Sequence, residues 1–158
     1  MATEKHDKFQ IASNQLETAI GLFVSDCDCY SVITLAGAAD GILTALVIRK
    51  GKKPFVDYVC MVEEAESGIT PPRGKLGSHI NDVLNINALK HMDEDGDEFV
   101  EMDVTECAVG AILKAVSNYK QLVEDDPDFI KAFLAWTWKN MEGSKVMEAY
   151  ENRLERLR

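Results

Sequence analysis

Seven carboxylates and no basic residue lie within the segment 93–103. Four of them take positions one, three, five and nine of an EF-hand loop when the first is set at position one: Asp93, Asp95, Asp97 and Glu101. The same frame places Glu98 where the loop needs glycine and Val104 where it needs a bidentate glutamate. The segment therefore predicts either a degenerate, weak divalent-cation site or a solvated acidic loop, and no other cofactor is expected.

A second combination with chemical potential is Asn87 and His91, which are four residues apart. On a helix this spacing places both side chains on one face. They are the candidate catalytic pair, although no serine or cysteine nucleophile accompanies them in a familiar motif. The other interpretation of His91 is a helix-end residue that interacts with the C-terminal dipole. On balance the sequence favours a protein without enzymatic activity.

The four cysteines are too sparse for a disulfide framework. Cys27 and Cys29 flank a single aspartate and could contribute to a metal site. No second cysteine pair or His-x-x-x-His motif follows to complete four ligands. Cys60 and Cys107 are expected to be small buried hydrophobic residues.

The chain has 158 residues and a net charge of −10, from 17 basic and 27 acidic side chains. A surface this acidic disfavours binding to duplex nucleic acid. Most of the charge is local, because residues 93–103 contribute −7 and the remaining residues only −3. Nucleic-acid binding is therefore disfavoured most strongly beside His91, and RNA stays possible at surfaces such as 49–53.

The elements that must position these residues are helices, since apolar residues recur at three- and four-residue steps and no alternating strand is evident. The pattern predicts helices over 5–24, 30–49, 54–66, 75–92 and 103–123, a sixth from 126 and a seventh towards the end. We expect an all-α, single-domain helical bundle with four or five core helices over about 5–123. Residues from about 126 to 158 are predicted to form a C-terminal helical extension.

The second helix is apolar nearly all round and long enough to span a membrane. Asp40 lies in its middle, where a charge is costly in a bilayer. Gly37 and Gly41 would let a neighbouring backbone approach closely. These features favour the central helix of a bundle over a membrane span, and with no apolar leader at the N-terminus we expect a cytoplasmic protein.

Three segments resemble a family of small, uncharacterised bacterial proteins: QLETAIGLF at 15–23, TLAGAA at 34–39 with Ile42-Leu43, and LKHMD at 89–93 with Asp95. The similarity covers about two-thirds of the chain. The helical layout of that family is similar to HEPN domains, which occur in toxin–antitoxin and phage-defence systems. The resemblance implies an RNA-directed protein in which Asn87 and His91 match the polar residue and histidine of the HEPN motif. Ile86 stands where that motif has arginine, which implies degenerate catalysis.

The leading functional hypothesis is a non-enzymatic interaction or oligomerisation module, expected to be a homodimer or to bind another protein. Aromatic residues near the C-terminus are candidates for contact with a partner: Phe129, Phe133, Trp136 and Trp138. The alternatives are the HEPN-like protein and the cation-binding loop over 93–104.

Overall fold

Six α-helices and no strand form within the part of the chain that this computed structural model describes, residues 3–92 and 96–141. Their bounds are α1 Lys8–Val24, α2 Cys29–Arg49, α3 Phe55–Ser67, α4 Arg73–Val83, α5 Val104–Lys120 and α6 Asp128–Asn140. The expected all-α bundle is thereby confirmed.

The core lies where α2 packs between α1 and α5 along most of its length. Small residues on the facing sides, such as Ala12, Ala36 and Ala111, are fully buried and allow the helix axes to come close. Larger side chains such as Leu16 and Ile112 fill the space between them. The helix that was predicted to be most buried therefore occupies the centre.

The predicted C-terminal extension begins with a helix that belongs to this core. Ile130 and Phe133 of α6 are fully buried, and the ring of Phe133 meets Phe23 of α1 edge-on. Phe23 also packs edge-on against Trp136 at a centroid distance of 4.7 Å. The predicted seventh helix lies outside the described residues.

The fourth helix is shorter than predicted. It ends at Val83 rather than near 92, and residues 84–90 continue as hydrogen-bonded turns. Asn85 adopts a left-handed conformation with φ of 55°, which a helix cannot continue through. Around this point Val83 and Ala88 are exposed, whereas Ile86 is buried.

Helix α2 begins at a well-formed N-cap. The carboxylate of Asp28 accepts hydrogen bonds from the backbone N–H groups of Tyr30 and Ser31 and from the Ser31 hydroxyl. The bonds from Ser31, first from its hydroxyl and then from its backbone, lower the pKa of Asp28 below the usual value for an aspartate. Folding therefore favours the ionised form of the Asp28 side chain, which caps the helix.

This cap makes stability depend on pH in a defined direction. Because the pKa is lower in the folded than in the unfolded state, the stabilisation is present above the unfolded pKa and is lost as the pH falls through the folded one. We expect Asp28→Asn to lower the urea midpoint near neutral pH and to match the wild type at acid pH. Urea unfolding at pH values from about 7 to 2.5 measures this, since the usual aspartate pKa lies between them.

The control for that experiment is Asp125→Asn, which removes an exposed carboxylate from the connection between α5 and α6 without removing a helix cap. A constant difference between Asp28→Asn and wild type across the whole pH range would contradict the linkage.

Candidate functional site

A polar cluster lies inside the otherwise apolar interface between α2 and α5. The ammonium of Lys114 donates to the carboxylate of Asp40 at 2.5 Å and to the amide oxygen of Asn81 at 2.7 Å. The Lys114 and Asp40 side chains are only 8% and 6% exposed. Neither charged group would be stable in this interface without the other, because a buried charge without a partner is strongly destabilising.

Asn118 extends this cluster and connects it to α3. Its amide nitrogen donates to Asp40 Oδ1 at 2.7 Å and to the Thr44 hydroxyl at 3.0 Å. Its amide oxygen accepts the backbone N–H of Phe55, the first residue of α3, at 2.8 Å. Pro54 precedes that helix and has no capping side chain. Asn118 thus satisfies one of the free N–H groups at the start of α3 and joins three helices through one side chain.

Sequence reasoning had singled out Asp40 but neither Lys114 nor Asn118. A usable signal was present, since a carboxylate in the middle of an apolar helix requires a buried cation or several donors. Lys114 and Asn118 are four residues apart on α5 and lie next to the apolar stripe that contains Ala111 and Ala115. A lysine at that position is the matching partner.

Beside this cluster an open groove of about 440 Å³ runs between α3, α4 and α5. Its walls are mainly aliphatic and aromatic: Phe55, Val59, Leu76, Ile80, Leu84 and Leu113. Lys114 also lines the groove, and Glu63 and His79 are its other titratable residues. The groove therefore combines an apolar lining with the edge of a buried ion pair.

The side of α2 opposite the core forms a second exposed apolar surface, which we term the α2 outer face. It carries residues at three- and four-residue steps along the whole helix: Tyr30, Thr34, Ala38, Gly41, Ala45 and Ile48. Tyr30 is 56% and Ile48 45% exposed, and the middle of the face lines an open depression that also touches Lys8 and Arg49. None of these six residues is charged.

Helix α2 is also the one helix among the described residues that is apolar and long enough to cross a membrane. In this structure 44% of its most apolar window is buried inside the protein, and Asp40 binds Lys114 of α5. Its inner side therefore has the packing of a core helix, whereas its outer face has no partner among the described residues.

The predicted pair Asn87 and His91 is brought onto a single turn rather than a helix. The backbone N–H of His91 donates to the Asn87 carbonyl at 3.1 Å. The Asn87 amide donates to Asp82 at 2.8 Å, and the His91 side chain is exposed. Ile86, at the position of the HEPN arginine, is 2% exposed and packs on α2, so that position cannot present a cation to RNA.

Only part of the acidic segment lies within the described residues. Asp93 and Asp95 lie outside them, while Asp97 and Glu101 are exposed. Asp97 accepts the backbone N–H of Phe99 at 3.1 Å, a local turn. No group of three or more potential metal ligands forms within residues 3–92 and 96–141, so the cation site stays a prediction.

The four cysteines are free thiols. Cys60 and Cys107 are buried, as predicted. Burial, followed by the negative charges of Asp26 and Asp28, raises the pKa of the Cys29 thiol. Cys29 is therefore mostly protonated at neutral pH and a poor nucleophile or metal ligand.

Of the four aromatic residues predicted to contact a partner, one lies in the core and two are half-buried against it. Phe133 is fully buried, Trp136 packs on Phe23, and Phe129 packs edge-on against Tyr119. Trp138 is 57% exposed and remains available to a partner.

No protein-family model, curated protein or solved structure matches this chain.

Proposed function

We propose that this protein is a non-enzymatic interaction module that forms a homodimer through the α2 outer face. The observation that carries the proposal is an uncharged, largely apolar helix face that extends from Tyr30 to Ile48. At about 1.5 Å per residue this face is about 27 Å long. Exposed apolar surfaces of this kind mark sites of interaction.

Small residues in the middle of the face make it suitable for another helix. Ala38, Gly41 and Ala45 present almost no side-chain bulk, and a Cβ added at Gly41 would meet no atom within 4 Å. A second helix can therefore approach closely and pack larger side chains, such as Ile48 and Tyr30, at either end.

Charge at the two ends of the face favours a second copy as the partner. The N-terminal end carries the exposed Asp26 and Asp28, and the C-terminal end carries the exposed Arg49 and Lys50. In an antiparallel dimer with twofold symmetry, the acidic end of each α2 meets the basic end of the other. The surface is thus complementary to itself in both shape and charge.

The test compares two exposed alanines changed to glutamate. Ala45→Glu is expected to convert the dimer into a monomer, because the twofold axis brings two carboxylates into the interface. Ala135→Glu, on α6 and away from the face, is the matched control and should leave the dimer intact. Sedimentation velocity gives the mass, and circular dichroism checks that both variants keep the helical fold.

A monomeric wild type, or a dimeric Ala45→Glu, would overturn the proposal. Vesicles of anionic phospholipid provide the remaining arm, since an apolar face with a basic end can also bind a lipid surface. If monomeric protein floats with those vesicles, the α2 outer face binds a membrane surface and does not form a homodimer.

A reversal of charge tests the antiparallel arrangement. Arg49→Glu should raise the dimer Kd about tenfold at low salt, since two symmetric contacts each change by up to about 1 kcal/mol. High salt should remove most of this difference. An unchanged Kd at low salt would argue for a parallel arrangement or another face.

A further inference from the structure

The groove between α3, α4 and α5 is bordered by apolar side chains that are not packed into the core. The structure describes every residue of α4, and none of them is buried. Helix α3 buries only Val56 and Cys60. The apolar sides of both helices face the groove instead of closing on α5. Val83 of α4 is 59% exposed, and Leu113 on the facing side of α5 is 37% exposed.

The size of the groove and the character of its lining are those of a small-molecule site. Such sites measure about 300–1,000 Å³, have mainly apolar walls and offer a few well-placed polar groups. This groove measures about 440 Å³ and is lined on three sides by separate helices. An extended peptide is a poorer occupant, because its backbone amides would find few polar partners on these walls.

Lys114 supplies the polar group. Its ammonium has three N–H donors, and the described residues provide acceptors for two of them, on Asp40 and Asn81. The third donor has no acceptor among the described residues. The Lys114 side chain is only 8% exposed, and it lines the groove. A buried donor without an acceptor is unfavourable, so an acceptor atom on a ligand is stabilised there.

The charge of Asp40 determines what kind of acceptor fits. It balances the charge of Lys114, and Glu63 is a further carboxylate on the lining. An anionic ligand would add an unbalanced negative charge beside these groups. An uncharged oxygen, such as the carbonyl of a ketone, ester or amide, accepts the hydrogen bond without that cost.

We propose that this groove binds an uncharged, mainly apolar small molecule whose carbonyl oxygen accepts a hydrogen bond from Lys114. This ligand site is separate from the α2 outer face and does not depend on the proposed dimer.

The experiment uses three probes that share one ring system: 2-acetylnaphthalene, 2-ethylnaphthalene and 2-naphthoate. Isothermal titration of the full chain should show saturable binding of 2-acetylnaphthalene. The ethyl compound, which lacks the acceptor, should bind about tenfold more weakly, as expected for one lost hydrogen bond. The carboxylate should also bind more weakly than the ketone.

Two tryptophan substitutions locate the site. Leu113→Trp fills the groove and should abolish binding of the ketone, whereas Val62→Trp, at an exposed position on α3 outside the lining, should not. Thermal melting checks that both variants fold. Saturable ketone binding that Leu113→Trp abolishes supports the proposal, and so does weaker binding of the other two probes.

No saturable binding of the ketone would overturn it. Equal binding by both tryptophan variants would also overturn it, because the ketone would then lie elsewhere. If the ethyl or carboxylate probe binds as tightly as the ketone, the proposed hydrogen bond from Lys114 to the ketone oxygen is wrong.

Discussion

Lys114→Met is expected to lower the free energy of unfolding by about 3–5 kcal/mol, the largest effect of any single substitution considered. The change removes the ammonium but keeps an unbranched side chain, so it leaves the Asp40 carboxylate buried without its cation. Asn118 still donates to Asp40, but one amide does not replace a full positive charge. Urea denaturation followed by circular dichroism at neutral pH measures the loss.

The double variant Asp40→Leu/Lys114→Met separates the cost of an orphaned charge from the value of the pair. It should recover most of the lost stability, since replacing both partners of a buried ion pair by apolar residues is often neutral or stabilising. A double variant as unstable as Lys114→Met alone would show that packing, and not charge, explains the single substitution.

The second large effect is expected at Gly37, where α2 contacts the turn that follows α4. A Cβ added at Gly37 would lie 2.6 Å from Ile86 Cγ2, closer than atoms can pack. Ile86 is 2% exposed, so its methyl group has little room to move. We expect Gly37→Ala to destabilise the protein by about 1–3 kcal/mol, although alanine is the better helix former.

Gly21→Ala is the matched control. Gly21 is exposed in α1, and an added Cβ there would meet no atom within 4 Å. This substitution should stabilise the protein by up to about 1 kcal/mol through helix propensity alone. Amide hydrogen exchange gives a second readout, because Gly37→Ala should speed exchange in residues 84–91 and Gly21→Ala should not. Equal effects of the two substitutions would show that the contact with Ile86 is not tight.

Local signals in the sequence were sufficient where a helix boundary depends on its own residues. The fifth helix was predicted to begin at Asp103, and the carboxylate of Asp103 caps it by accepting the backbone N–H of Glu106 at 2.9 Å. The prediction failed at the end of α4, where the apolar pattern continued past the true boundary. The left-handed conformation of Asn85 turns the chain there, and it allows Ile86 to reach Gly37.

The candidate sites could be predicted only in part, because they depend on which helices become neighbours. Asp40 was recognised as a charge that needs explaining, but its partner is 74 residues away in the sequence. The groove is formed by three helices, and no pattern within one of them predicts the space left between them. Asn87 and His91 were placed on one helix, and the structure puts them on a turn.

The sequence by itself determined the all-α class, the central position of α2 and most helix starts, since these follow from apolar periodicity, from prolines such as Pro54 and Pro127, and from capping side chains such as Asp103. Only the tertiary structure decided that Asp40 would meet Lys114, that Gly37 would receive Ile86, and which face of α2 stays exposed. The physical reason is that α2 is apolar on every side, so its own pattern does not choose a buried face. The choice is made by the helices that pack against it.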